Sequence, residues 1–228
     1  SFPGQFRNWF YALLTECTLM TGQAPMRTLF GYALLRDEHG EEMHKSKGNA
    51  IWFDDAAAEI GADVMRWMFS STNPATNMNF GHHLAHEEVR RFFLPLWNTY
   101  GFLVTYARLD GWTPAHADGV EEARTLLDRW ILSRLETTLA EYDKNLKTFN
   151  LAEGMRTLHR FIWSEYCDWY IELAKMRMEG ESSAAVKGVL VQVAEHIARA
   201  LHPVMPFLTE ALWRATSLAR SAGGGAGP

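Results

Sequence analysis

From Leu84 onward, apolar residues recur every three or four positions almost to the end of the chain, and that period commits most of the sequence to amphipathic helices. The first stripe is Leu94, Leu96, Trp97, Tyr100, Leu103, Val104 and Ala107, on a helix expected to bend or restart near Pro95, whose ring removes a donor and crowds the preceding turn. Gly111, Pro114 and Gly119 break it. A second helix puts Leu127, Trp130, Ile131, Leu135, Leu139, Tyr142 and Leu146 on one face, leaving Asp128, Arg129, Glu136 and Glu141 largely outside. Asn150 with Glu153 reads as a capping box opening a third, with Leu151, Met155, Leu158, Ile162, Tyr166, Trp169 and Leu173 inward and Gly180 at its end. Val186, Val189, Leu190, Val193, Ile197 and Leu201 make the fourth stripe, and Pro206 begins a fifth helix over Phe207 to Leu218. Such stripes can be buried only against one another, so residues 84–220 are expected to form a helical bundle.

The first 83 residues are patterned differently. Phe6, Trp9, Phe10, Leu13, Leu14 and Cys17 give a helix over Gln5 to Thr21 that stops near Gly22. Thr28 to Leu35 (TLFGYALL) reads as a strand closed by the turn residues Asp37 to Glu42. Asp54 and Asp55 open a short helix ended at Gly61, and Asp63 to Ser70 forms the next. Helix, strand and loop in that order suit the last unit of an open α/β sheet, where ligands collect beyond the carboxyl ends of strands. One strand cannot make a sheet, so residues 1–83 read as the end of a larger Rossmann-type domain. The fold class expected is therefore mainly α, with a helical bundle preceded by the last α/β portion of that domain. Residues 221–228 (SAGGGAGP) read as a flexible tail.

Composition narrows the function only slightly. The net charge is -5, with 9 Lys and Arg against 13 Asp and Glu in residues 1–120, and 13 against 14 in the remainder. Neither half carries the basic excess that by itself marks a nucleic-acid binder, so any RNA contact must come from local patches. The two cysteines, Cys17 and Cys167, have no neighbour at ligand or disulfide spacing, which fits a reducing compartment. No apolar run reaches the roughly 18 residues needed to span a bilayer, and the first residues lack a targeting pattern, so a cytoplasmic, non-membrane protein is expected.

The chemistry lies in Glu42 to Asn49, EMHKSKGN. It resembles the K-M-S-K-S-x-G-N signature loop of class I aminoacyl-tRNA synthetases, with Met43, Lys45, Ser46, Gly48 and Asn49 in register. The resemblance implies that Lys45 and Ser46 are catalytic, and that Met43, His44, Lys45, Lys47 and Gly48 bind ATP. The physical need is for a mobile cation where charge builds on phosphate oxygens as pyrophosphate is expelled. Two positions depart from the pattern: Glu42 stands for the first lysine and His44 for the first serine, so the phosphate clamp loses one positive charge and gains a negative one.

The likeness extends along the chain. GQFRNWF (4–10) is similar to the D-Q-x-R-G-W-F segment beside the adenylate pocket, implying pocket roles for Gln5 and Trp9; Gly4 and Asn8 depart from it. GADVMRW (61–67) looks like the helix after the signature loop, its Asp63 and Arg66 read as structural. WNTYGFLVTYARLDGW (97–112) and LLDRWILSRL (126–135) resemble the anticodon-binding region of the isoleucyl enzymes, FIWSEYCDWYIELAK (161–175) the valyl enzymes, and HPVMPFLTEALW (202–213) the closing helix of the isoleucyl, valyl and leucyl group. The resemblance implies a fragment of an isoleucine-tRNA ligase, with a valine-tRNA ligase or a non-catalytic tRNA- or protein-binding relative as alternatives. The resemblance further implies that the full-length enzyme takes tRNA, ATP with Mg²⁺, and isoleucine, and that DNA is not a partner.

tRNA-binding candidates on polar faces are Arg129, Arg134, Lys144, Arg160, Lys175 and Arg177. Trp130, Trp163, Trp169 and Trp213 are expected to pack rather than stack on bases. The H-I-G-H segment, the second ATP motif of class I synthetases, is not in this chain. GHHLAH (81–86) follows the lysine loop instead of preceding it, and its His82 and His86 are read as packed or solvated, with no metal expected. Negligible amino-acid activation is expected from these residues alone.

Overall fold

A computed structural model describes residues 2–113, 121–180 and 183–221. The expected break at Pro114 and Gly119 and the tail after Ser221 lie outside the described residues. The chain opens with α1 (Phe2–Gln5) and α2 (Trp9–Thr21), the latter closed by Gly22 at φ 67° in the left-handed region. No residue of α2 is buried, and Phe6, Trp9, Tyr11, Leu14, Leu19 and Met20 face solvent. The helix expected from Gln5 is interrupted by a turn over residues 6–8 and runs unbroken from Trp9.

The strand is much shorter than its composition suggests. Only Leu35–Arg36 (β1) joins a ladder, pairing in parallel with Met78–Asn79 (β2). Residues 28–34 form no ladder of their own and are tied to the segment before and at β2: Ala33 N–H donates to Pro74 O at 2.8 Å, Leu34 N–H to Asn77 Oδ1 at 3.0 Å, and Leu34 O accepts the Met78 N–H at 3.0 Å. Between the strands lie α3 (Phe53–Glu59) and α4 (Ala62–Ser71), separated by Gly61 at φ 91°, a turn that disfavours any Cβ.

After β2, α5 (His82–Glu88) runs through a wide π-helical stretch, Val89–Phe93, into α6 (Leu94–Leu109). The irregularity sits just before Pro95, where the missing N–H and the ring would otherwise disrupt a regular turn. Next come α7 (Leu126–Lys147), α8 (Leu151–Arg160), a second π-helical stretch at Phe161–Ile171 and α9 (Glu172–Lys175). The bundle closes with α10 (Ser183–Leu201) and α11 (Pro206–Ser221).

One continuous hydrophobic core holds these helices. It runs from Ala56, Met65 and Trp67 through Phe92, Leu96 and Tyr100 to Ile131, Leu158, Tyr166, Val193 and Leu212, so it crosses the residue 83/84 junction without a gap. Trp67 of α4 stacks on Phe92 at 4.1 Å between ring centroids, and its indole N–H donates to Glu88 Oε2 at 3.1 Å. Buried tyrosines tie neighbouring helices to α10: Tyr166 donates to Leu190 O and Tyr142 to Ala200 O, each at 2.8 Å, and Tyr100 to Ala194 O. Burial lifts the Tyr142 phenol to about 12, and those of Tyr100 and Tyr166 further, so these hydroxyls stay protonated donors.

Two local readings of the sequence need correcting. The Asn150/Glu153 capping box does not form: Asn150 Nδ2 turns back to Asn145 Oδ1 at 3.4 Å, and Glu153 pairs with Arg156. The cap that does form opens α7, where Thr125 N–H and Oγ1 donate to Asp128 Oδ2 at 2.8 and 2.9 Å. Asp128, expected outside the stripe, is fully buried.

Candidate functional site

The lysine loop hangs between β1 and α3. His44 is extended, Lys45–Lys47 make one 3₁₀ turn, and Gly48 at φ 72° reverses the chain. Met43 packs on the core while His44, Lys45, Ser46 and Lys47 are exposed, so the loop is anchored at its start and open at its tip. Lys45 Nζ rests over the Trp52 ring, 4.6 Å from its centre. Beneath the loop is an apolar hollow of about 610 Å³, floored by Met43, Ile51, Met65 and Phe80 and rimmed by Trp52 and Phe207.

Both departures from the signature pattern sit at the loop's entry. Glu42 pairs with Arg36 in an isolated antiparallel bridge, and its carboxylate lies 3.6 Å from His44 Nε2. The added negative charge therefore has a neighbour able to offset it when His44 is protonated.

Gln5 and Trp9 are exposed on the α1–α2 segment, and no hydrogen bond among the described residues joins them to the loop. The lysine loop is thus an assembled unit, held by bonds of its own and not by Gln5 or Trp9.

Asp63 and Arg66, read from sequence as structural, form a latch between α4 and the bundle. Asp63 accepts the Leu208 N–H at 2.6 Å and the Phe207 N–H at 3.4 Å. Residue 205, just before α11, is a methionine without a capping acceptor, so a carboxylate from another helix supplies the N-cap. Arg66 donates to Pro203 O and Val204 O, both at 2.7 Å. The second helix after the lysine loop, α4, is therefore bonded directly to the turn between α10 and α11 and to the start of α11.

The six candidate RNA-contacting cations divide into two groups. Arg177 is committed within the fold: it donates to Asp128 Oδ1 and Oδ2 at 3.0 and 2.9 Å and to Thr125 Oγ1 at 3.0 Å. Tyr170 donates to the same carboxylate at 2.7 Å. Burial alone pushes the Asp128 carboxyl up, but Arg177, Tyr170 and Thr125 together outweigh it and hold it below the usual range. Arg134 grips Glu165 in a two-pronged bridge at 2.7 and 2.9 Å, and Lys175 pairs with Glu172 at 2.5 Å. Arg129, Lys144 and Arg160 are exposed and enter no ion pair among the described residues. Of the tryptophans, Trp169 is 64 % exposed and Trp130 36 %, so core packing accounts for only part of each.

His82 Nδ1 lies 3.2 Å from Glu59, and among the described residues no three His, Cys, Asp or Glu side chains come together to hold a metal. Among those residues, no helix is long and apolar enough to cross a membrane.

Comparison with known proteins places this geometry. Residues 3–81 match the family described as tRNA synthetases class I (I, L, M and V), and residues 128–224 match the anticodon-binding domain of tRNA ligase. The chain belongs to the class I aminoacyl-tRNA synthetases and carries their anticodon-binding domain. It is 35% identical over 209 residues to the valine–tRNA ligase of Enterococcus faecalis, covering 90% of this chain and 23% of that protein. It is 38% identical over 193 residues to the valine–tRNA ligase of Dehalococcoides mccartyi, covering 84% and 21%. The chain thus spans less than a quarter of these relatives. Two solved structures share the fold, each with a TM-score of 0.67. One is the Agrobacterium radiobacter K84 leucyl enzyme in a ternary complex with tRNA and LeuAMS, at 15% identity, covering 94% of this chain and 27% of that one. The other is Mycobacterium tuberculosis methionyl-tRNA synthetase with methionyl-adenylate, at 14% identity, covering 91% and 43%. The isoleucyl preference drawn from residues 97–112 and 126–135 finds no support among these relatives, whereas the valyl likeness of residues 161–175 does.

Proposed function

We propose that this segment serves a valine–tRNA ligase, contributing the lysine loop of the ATP site and a face of the tRNA-binding bundle. The observation that carries the reading is 35–38% identity to valine–tRNA ligases over 193–209 residues, a stretch long enough to include both loop and bundle. In that reaction the valine carboxylate oxygen attacks the α-phosphorus of ATP, the bond from that phosphorus to the bridging oxygen breaks, and pyrophosphate leaves. Lys45 stabilises the charge growing on the phosphates. Its resting contact with Trp52 is worth only about 0.5–1 kcal/mol at an exposed site, so leaving the ring for a phosphate costs little. Ser46 and Lys47, on the same 3₁₀ turn, and the backbone at Met43, His44 and Gly48 complete the ATP-facing side. Mg²⁺ is included only as the counter-ion that ATP brings.

For RNA, Arg129, Lys144 and Arg160 are the cations proposed to meet phosphates, because Arg134 and Arg177 already hold carboxylates. The boundary between catalytic end and bundle is placed near Leu84, at the start of the long helix formed by α5 and α6. Filter binding of this chain to a valine tRNA transcript, at low and at physiological salt, tests the assignment. Affinity falling steeply with salt supports it; no retention even at low salt refutes the RNA-binding half.

A further inference from the structure

Asp37 is the residue of this region that neither the signature motif nor the family likeness singles out. Its Oδ1 accepts two backbone N–H groups, from Glu41 at 2.8 Å and His39 at 3.1 Å, closing the turn that leads into the lysine loop. Its Oδ2 accepts from Asn49 Nδ2 at 2.8 Å, twelve residues along the chain. Asn49 uses its remaining capacity on the loop's entry: Nδ2 also donates to Glu42 O at 3.2 Å, and Oδ1 accepts the His44 N–H at 2.9 Å. Both strands of the loop's neck therefore meet at this one pair of side chains. Past the pair the restraint is slight: two local backbone bonds, Lys47 N–H to His44 O at 3.1 Å and Gly48 N–H to Lys45 O at 3.3 Å, and the weak contact of Lys45 with the Trp52 ring.

We propose that Asp37 is a positioning residue for the lysine loop: with Asn49 it clasps the neck at residues 42–44 and 49, and leaves Lys45 to Lys47 free to swing. The orientation of the pair is fixed by chemistry. Asn49 must present its oxygen to the His44 N–H and its amide to Asp37 and Glu42 O, so only an acceptor fits at Asp37 Oδ2. The carboxylate suits the task further, because the Asn49 amide, then the Glu41 N–H, hold its pKa below the usual range and keep it ionised well into acid. A clasped neck confines the search of Lys45 to an arc about Gly48, which shortens the path to a bound phosphate.

The swap of partners makes the test. Asp37→Asn sets one amide against another, whereas Asp37→Asn with Asn49→Asp rebuilds a donor–acceptor pair and keeps an acceptor for the His44 N–H, while replacing the bond to Glu42 O by a contact between two acceptors, so recovery is partial. Native-state trypsin digestion of this chain, followed by mass spectrometry, reads cleavage after Lys45 and Lys47 against cleavage after Lys144 in the bundle. Asp37→Asn is expected to speed loop cleavage roughly tenfold with the bundle site unchanged, and the double swap to recover at least half of that change on a logarithmic scale. Unchanged loop cleavage in Asp37→Asn, equal acceleration at Lys144, or no recovery in the swap each overturns the clasp. The role in catalysis rests on the ligase reading, and ATP–pyrophosphate exchange by a full-length ligase carrying the same variants reads it separately. There kcat falls in Asp37→Asn and returns in the swap, while KM for the amino acid stays constant. Exchange unchanged by Asp37→Asn overturns the positioning role. Absence of valine-dependent exchange in the unaltered enzyme, with digestion as expected, removes the ligase reading and leaves the clasp standing.

Discussion

Replacing Arg177 with alanine separates a structural cation from an RNA-contacting one. Asp128 is fully buried, and Arg177 supplies the formal positive charge among its hydrogen-bond partners. Removing one partner of a buried ion pair costs about 3–5 kcal/mol, because the other charge stays desolvated. Here Tyr170 at 2.7 Å and the Thr125 N–H and hydroxyl at 2.8 and 2.9 Å still donate to Asp128, so the lower end, about 3 kcal/mol, is expected. That is a large share of the roughly 5–15 kcal/mol that holds a domain together. The loss also carries a pH signature. In the wild type the folded carboxyl titrates below its unfolded value of about 3.9, so the bridge contributes fully above that pH and fades as pH falls below it. In the variant, burial is opposed by fewer partners, the folded pKa rises, and the folded state takes up a proton earlier and regains stability on acidification. Urea unfolding followed by circular dichroism should therefore show the wild-type-to-variant gap shrinking as pH falls from neutral toward the ordinary carboxylate range. A gap under about 1 kcal/mol at neutral pH, or one independent of pH, refutes the assignment of Arg177 to the fold.

Three further outcomes follow from the same contacts. Asp63→Ala removes the cap that α4 lends to α11, and should lower stability by about 1–2 kcal/mol in urea titrations, with amide exchange at Phe207 and Leu208 speeding first. Phe149, exposed at φ 59° in the turn between α7 and α8, holds a left-handed conformation costly for its type; Phe149→Asn should stabilise by about 0.5–1 kcal/mol, read as a raised Tm. The triple change Arg129→Ala, Lys144→Ala, Arg160→Ala should weaken tRNA retention and flatten its dependence on salt by up to about three units of slope while leaving the unfolding midpoint in place.

What could be read from the sequence follows what each signal physically encodes. Periodicity encodes which face of a helix is apolar, and it located Ile131, Leu158, Val193 and Leu201 in the core correctly. It does not encode how deeply that face is covered, so α2 forms with none of its residues buried. The strand over Thr28 to Leu35 failed for the same reason: β propensity needs neighbouring strands, and only Leu35 and Arg36 have one. Asp128 was placed outside because charge usually marks a surface, and the tertiary partners Tyr170 and Arg177 lie 42 and 49 residues away. A signal for it was there, Thr125 three residues before an aspartate at the head of an apolar run, which is a capping pattern. The lysine loop stood out in the sequence by its likeness to a signature pattern, whereas Asp37 looked like ordinary turn chemistry until its bond to Asn49 was visible. The isoleucyl preference rested on bundle segments, whose packing constrains residue type without reporting on the amino acid to be activated, and the similar relatives are named valyl.

ATP–pyrophosphate exchange by the full-length enzyme reads whether Lys45 serves adenylate formation in a ligase for valine. Exchange should depend on valine far more than on isoleucine or leucine. It should fall by roughly a hundredfold or more in Lys45→Ala, the scale set by removing a transition-state charge stabiliser, with tRNA binding unchanged. Exchange driven best by another amino acid would contradict the valyl reading, and equal losses of exchange and tRNA binding would contradict the role given to Lys45.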